Sequence, residues 1–90
     1  MIASWAETDR ELRAALAQVD IEPEATRSVA EYLDHNELGL AFATLVESLD
    51  QLGTSPPPIA MKHLSVASDR MGNPPDGHDA WERLQRRAKS

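Results

Sequence analysis

Residues 38–53, LGLAFATLVESLDQLG, carry the strongest periodic signal in the chain. Leu38, Phe42, Leu45, Leu49 and Leu52 recur at spacings of 4, 3, 4 and 3, with Ala41 and Val46 beside them. On a helix this spacing gathers the apolar side chains into one broad face over about four turns, which predicts the central core helix. Gly53 follows directly, and glycine most readily takes the left-handed conformation that ends a helix. Nothing in the chain alternates with the period that strands require, and β-branched residues are sparse. The expected fold class is therefore all-α.

Upstream, Pro23 sits well at the first turn of a helix, where its missing N–H leaves no bond unmade. Ala25, Val29, Tyr32 and Leu33 face inward on that helix, and Glu24, Arg27, Glu31 and Asp34 or His35 face outward. The first helix has two possible starts. Ser4 with Glu7 and Thr8 with Glu11 both fit a capping box, in which two side chains satisfy otherwise orphan backbone donors. Leu12, Leu16 and Val19 form its inward stripe, which ends near Asp20.

Downstream, TSPPP (residues 54–58) is a short extended connection, because each residue before a proline is pushed out of the α region. Pro58 can open a fourth helix whose stripe is Ala60, Leu64, Ala67 and Met71, with Ile59 and His63 beside it. GNPP (residues 72–75) breaks the chain again. The segment DGHDAWERLQRRAK (residues 76–89) reads as a short helix with Trp81, Leu84 and Ala88 on one side. Its last turn carries Arg86, Arg87 and Lys89, which suit the negative end of the helix dipole. The expectation is a small four- to five-helix bundle. Residues 1–72 form its four-helix core. Residues 73–90 are a break and a short helix, within the same domain or loosely docked.

Ninety residues make one domain, and a chain this short buries only about 60–65% of the surface its unfolded form exposes. The absence of cysteine excludes a disulfide framework and thiolate zinc sites. The start, MIASWAETDREL, has no basic region followed by an apolar run, and no apolar segment approaches the ~20 residues of a membrane span. A cytoplasmic protein is expected. The formal net charge is −6, unevenly spread. Residues 1–61 hold eleven acids and three bases, and residues 62–90 hold six bases and four acids. The acidic part would repel a phosphate backbone, which disfavours direct nucleic-acid binding, and would attract a basic protein.

The stretch YLDHNELGLAF (residues 32–42) is the densest polar cluster. Asn36 stands between two helices, where asparagine either caps the second or takes left-handed backbone. Glu37 falls in the first turn, where negative charge is favoured. Gly39 is expected to mark a close approach by the end of the preceding helix. Around them Glu31 and His35 are i, i+4 neighbours, Asp34 is adjacent, and Glu37 lies across the corner. No ligand spacing for a metal exists here, and His35, His63 and His78 fall in three separate segments. There is no G-x-S-x-G and no glycine-rich phosphate loop. Carboxylates on a convex helix face also lack the cleft that shifts pKa values. No catalytic residue, cofactor or metal ligand is expected, and hence no enzyme.

The run YLDHNELGLAFATLVESL resembles the signature of the MafI-type immunity proteins of bacterial polymorphic toxin systems. That signature is an aliphatic-rich helix, then His-Asn-Glu, then a helix opening with small and apolar residues. The matching positions are His35, Asn36, Glu37, Gly39, Ala41, Leu45 and Leu49. PPPIAMKHLSVASDRMG (residues 56–72) is similar to the family's next helix. The resemblance covers roughly residues 29–72; the first helix fits in character only and the tail after Gly72 has no counterpart. It implies a cytoplasmic antidote that binds a cognate toxin domain, commonly a basic nuclease, with carboxylates standing in for phosphates. Under that reading Glu31, Asp34, His35 and Glu37 bind the toxin, with Tyr32 as a half-buried anchor and Glu47 and Asp50, on the outer side of the central helix, as a second rank. His35 and Asn36 serve either the interface or the scaffold. Two other readings compete: a helical dimerisation or adaptor module unrelated to toxins, and a regulator touching nucleic acid through residues 83–89. Oligomeric state is left open.

Overall fold

The computed structural model describes residues 4–53, 55–72 and 76–89. Among them the chain is an all-α bundle of five helices: α1 (Ser4–Ala17), α2 (Pro23–Asp34), α3 (Leu38–Leu52), α4 (Pro58–Arg70) and α5 (His78–Lys89). None of these helices is long and apolar enough to cross a membrane. α3 touches all four others; α2 and α5 pack most closely on it, and α1 packs chiefly on α4.

Sequence chemistry fixes most boundaries. Pro23 and Pro58 open α2 and α4 in their first turns. Gly53 ends α3 with φ +74°, a conformation glycine adopts without steric penalty. α1 is already helical at Ser4, the first described residue, so the later candidate start at Thr8 is not used; the side chain of Ser4 and the residues before it lie outside the described residues. Thr8 is consequently inside the helix, and it is buried. α1 stops at Ala17. Val19 still packs on the core, but from the turn that follows. Part of TSPPP, Thr54, and the Asn-Pro-Pro of the second break (73–75) lie outside the described residues.

The core forms where the apolar stripes converge. Phe42, Leu45 and Val46 of α3 are fully buried, together with Leu12, Val29, Leu64 and Leu84 from the other four helices. Each such side chain stabilises the fold by about 1.5–3 kcal/mol relative to exposure. The ring of Phe42 meets that of Trp81 edge to face, with centroids 5.6 Å apart and planes at 73°. That geometry sets the positive ring edge against the negative ring face. α5 is therefore docked, and Ala80 joins Trp81 and Leu84 in the core while Ala88 stays exposed.

Leu52 departs from the stripe that the sequence draws: it is 49% exposed. A repeat of 3.5 residues drifts about 20° per heptad on a 3.6-residue helix, so the ends of a long stripe rotate away from its centre. Leu38, at the other end, is only half-buried. Ile59 is likewise exposed.

The close backbone approach is not at Gly39. A Cβ built there meets nothing within 4 Å. Gly39 lies in the first turn of α3, with open space where a side chain would stand. The approach is at Gly77, just before α5, where φ is +76° and a Cβ would fall 2.7 Å from the Cα of Ala43. Only a residue without a Cβ admits this contact, and only a small partner on α3 receives it.

Two substitutions separate these glycines. Gly77→Ala combines a left-handed backbone with overpacking and should lower stability by ~2–4 kcal/mol. Gly39→Ala should be neutral or stabilising by up to ~1 kcal/mol. Thermal unfolding of both variants checks this, and equal melting temperatures would contradict it.

Candidate functional site

The corner between α2 and α3 is built by backbone before side chains enter. The N–H of Glu37 donates to the carbonyl of Tyr32 (2.8 Å) and that of Asn36 to the carbonyl of Leu33 (3.0 Å). These two bonds are the pair that closes a Schellman motif, and they satisfy carbonyls that the helix end would leave orphaned. The motif requires a left-handed residue at its centre. Asn36 supplies it with φ +60°, and no other described non-glycine residue has positive φ. Of its two possible roles, Asn36 thus takes the left-handed one, and Glu37 occupies the N-cap position of α3 without a capping bond from its side chain.

His35 locks the same end. Its Nδ1–H donates to the carbonyl of Glu31 at 2.8 Å, a carbonyl that also accepts the backbone N–H of His35. The ring therefore serves the scaffold, with Nε2 left over. Tyr32 is half-buried against the core.

The carboxylates divide into two groups. Asp34 is committed: Arg13 of α1 reaches it at 3.0 Å while also holding Asp9 at 2.9 Å. Bonds from Asp9 first and Asp34 second raise the Arg13 pKa above its already high ordinary value. Asp50 is committed more deeply. It lies under α5 with a side chain 16% exposed, bonded to Arg83 at 2.8 Å and Arg87 at 2.9 Å. Arg87 first, then Arg83, hold its carboxyl below the usual aspartate range. Asp50 thus does not present an outer carboxylate; α5 covers it. Among the described residues Glu31, Glu37 and Glu47 are exposed and form no ion pair.

Glu31, Tyr32, Asp34, His35 and Glu37 come together at the corner by adjacency in the chain. Glu47 does not join them. It stands roughly 15 Å further along the axis of α3 at 1.5 Å per residue, and lines a shallow groove with Gly77, Asp79 and Arg83. Two functional supports escape the sequence reading. Arg13 had a visible partner in Asp9 four residues before it, but its second partner belongs to another helix. The pairing of Asp50 with α5 has no local signal at all.

Among the described residues no three His, Asp or Glu side chains converge on a point that could hold a metal. The arrangement offers fixed negative charge beside an aromatic ring, a set suited to binding a cationic surface. No family model, no curated protein and no solved structure matches this chain.

Replacing Asn36 tests the corner as scaffold. Asn36→Gly should leave the melting temperature near its original value, while Asn36→Val should lose ~1–2 kcal/mol by forcing a β-branched residue into left-handed backbone.

Asp50 gives a pH dependence of definite sign. Its folded pKa lies below the unfolded value of about 3.9, so its contribution is complete above that value and fades as pH falls through the folded pKa. Emission of Trp81 in a Trp5→Phe background should therefore shift red in acid as α5 loosens. Asp50→Asn should already be red-shifted at neutral pH, with a smaller acid change. An identical acid profile in the two proteins would show that this clamp does not hold α5.

Proposed function

We propose that this protein is an immunity protein that binds and neutralises a cognate bacterial toxin domain through its acidic α2–α3 corner. The observation that carries the reading is the pair Glu31 and Glu37. Both are exposed and free of ion pairs among the described residues, and both are held on a rigid Schellman corner beside half-buried Tyr32. The backbone that carries these carboxylates is already ordered, so binding need restrain only their side chains, and a neighbouring aromatic residue is of a type enriched at interface hot spots. The toxin domain would be basic and nuclease-like, with these carboxylates covering its phosphate-binding surface or a neighbouring one. Negative charge over the first two-thirds of the chain would steer the encounter and make association fast and salt-sensitive. Glu47 extends the acidic surface along α3. Asp34 and His35 act mainly by shaping the corner, and Asp50 acts by holding α5.

Dimerisation through a broad apolar face, one form of the adaptor reading, has less support. Among the described residues the exposed large apolar ones are Trp5, Leu40, Leu52 and Ile59. Leu40 and Leu52 lie near opposite ends of α3. Trp5 and Ile59 lie at opposite ends of the α1–α4 pair, which runs antiparallel as the contacts Glu7–Arg70 and Glu11–His63 show. Scattered single residues do not make a docking patch.

Calorimetric titration with the product of the neighbouring reading frame, prepared as an inactivated domain, tests the proposal. One-to-one binding that weakens with salt is expected. Glu31→Lys with Glu37→Lys should slow association by about tenfold at low salt and flatten its salt dependence. Unchanged kinetics in a folded double variant would remove the corner from the interface, and absence of any binding would count against the immunity reading.

A further inference from the structure

α4 and α5 both pack on the rest of the bundle but barely on each other. One flank of α5 is drawn to α3 by the bonds of Arg83 and Arg87 to Asp50. The opposite flank faces α4 across an open groove of about 280 Å³. Pro58, Met61, Ala88 and an edge of the otherwise buried Trp81 give this groove an apolar surface. Lys62 and Lys89 also line it, with the uncharged polar Ser65 and Gln85.

Charge sets the groove apart from the rest of the surface. The chain has fifteen acids and nine bases, yet no carboxylate lines this groove. Neither Lys62 nor Lys89 forms an ion pair among the described residues. An apolar strip flanked by two uncompensated cations is complementary to an apolar ridge flanked by carboxylates. Its length, from Trp81 to Lys89 on α5, is roughly 12 Å at 1.5 Å per residue, or about two helical turns.

We infer that the α4–α5 groove docks a short acidic amphipathic segment of a protein partner, with apolar side chains against Met61 and Trp81 and carboxylates on Lys62 and Lys89. This surface is of opposite charge to the α2–α3 corner and uses none of its residues, so it stands whether or not the corner binds a toxin. A second copy offering its own acidic face is the competing occupant. Such a head-to-tail contact is heterologous and grows into filaments unless it closes into a ring.

The test uses the full chain carrying Trp5→Phe, so that Trp81 is the one fluorophore of its kind. The probe is a synthetic amphipathic helix of leucine and glutamate, compared with the same peptide carrying lysine for glutamate. The glutamate peptide should shift Trp81 emission saturably, and the lysine peptide should not. Lys62→Glu with Lys89→Glu should weaken binding about tenfold or more at low salt. Lys62→Gln with Lys89→Gln serves as the milder pair if reversal lowers helicity. No saturable shift, an equal response to both peptides, or indifference to the lysine variants would overturn the inference. So would sedimentation showing that the protein alone self-associates and that the lysine variants abolish it, which would assign the groove to a second copy.

Discussion

Enclosure of α3 by four other helices is the constraint on which the rest of the molecule depends. A helix touched by so many neighbours cannot keep a polar face of ordinary width. Ala41, Phe42, Ala43, Leu45, Val46 and Leu49 are all buried, an arc wider than one stripe. Size matters within that arc. Phe42 fills the centre and receives the edge-to-face ring of Trp81. Ala43 is small enough for the backbone at Gly77 to reach contact distance. The chain entering α5 therefore runs against α3, and the two helices lie parallel, with Gly77 beside Ala43 and Arg83 and Arg87 at Asp50. A bulky residue at either Ala43 or Gly77 would separate them, because interiors packed to crystal density have no room to absorb a methyl group.

Electrostatics then sorts the acids into those that build and those that remain outward. Arg13 ties α1 to the end of α2 through Asp34, Glu11 and His63 join α1 to α4 at 2.7 Å, and Arg70 pairs with Glu7 across the same two helices. Exposed pairs of this kind contribute little each. Asp50 differs because one carboxylate accepts from two guanidinium groups beneath the helix that carries them. What these bonds decide is location: they consume bases from both ends of the chain and leave Glu31, Glu37 and Glu47 without an ion pair among the described residues. The exposed field of the corner is the residue of that pairing.

The same sorting leaves the opposite sign elsewhere. With Arg83 and Arg87 turned to Asp50, Lys62 and Lys89 stand beside the apolar groove between α4 and α5. A protein that is acidic in sum thus has an acidic corner rigidified by backbone hydrogen bonds and a small basic rim on an apolar groove. His63, Arg70, Arg83 and Arg87 of the basic segment join helices by pairing with acids of the first 61 residues, and Lys62 and Lys89 are left at the groove.

Local chemistry was legible in the sequence. The stripe centred on Phe42, Leu45 and Leu49 established the central helix, Pro23 and Pro58 set two helix starts, Gly53 set a stop, and Asn36 marked a corner that it could make either as a cap or in left-handed backbone. Each of these is a preference of a residue for its own backbone or for neighbours three and four positions away, so a linear reading contains it. The exposed acids of the corner were readable for the same reason. Tertiary structure alone decided that Gly77 rather than Gly39 meets another backbone, and that Asp50 lies under α5 instead of facing outward. Those outcomes depend on which helix arrives at which height along α3, a distance in space between residues more than thirty positions apart. No periodicity in the chain encodes that distance. It follows from the joint packing of four helices around α3, where steric fit and ion pairing are satisfied together.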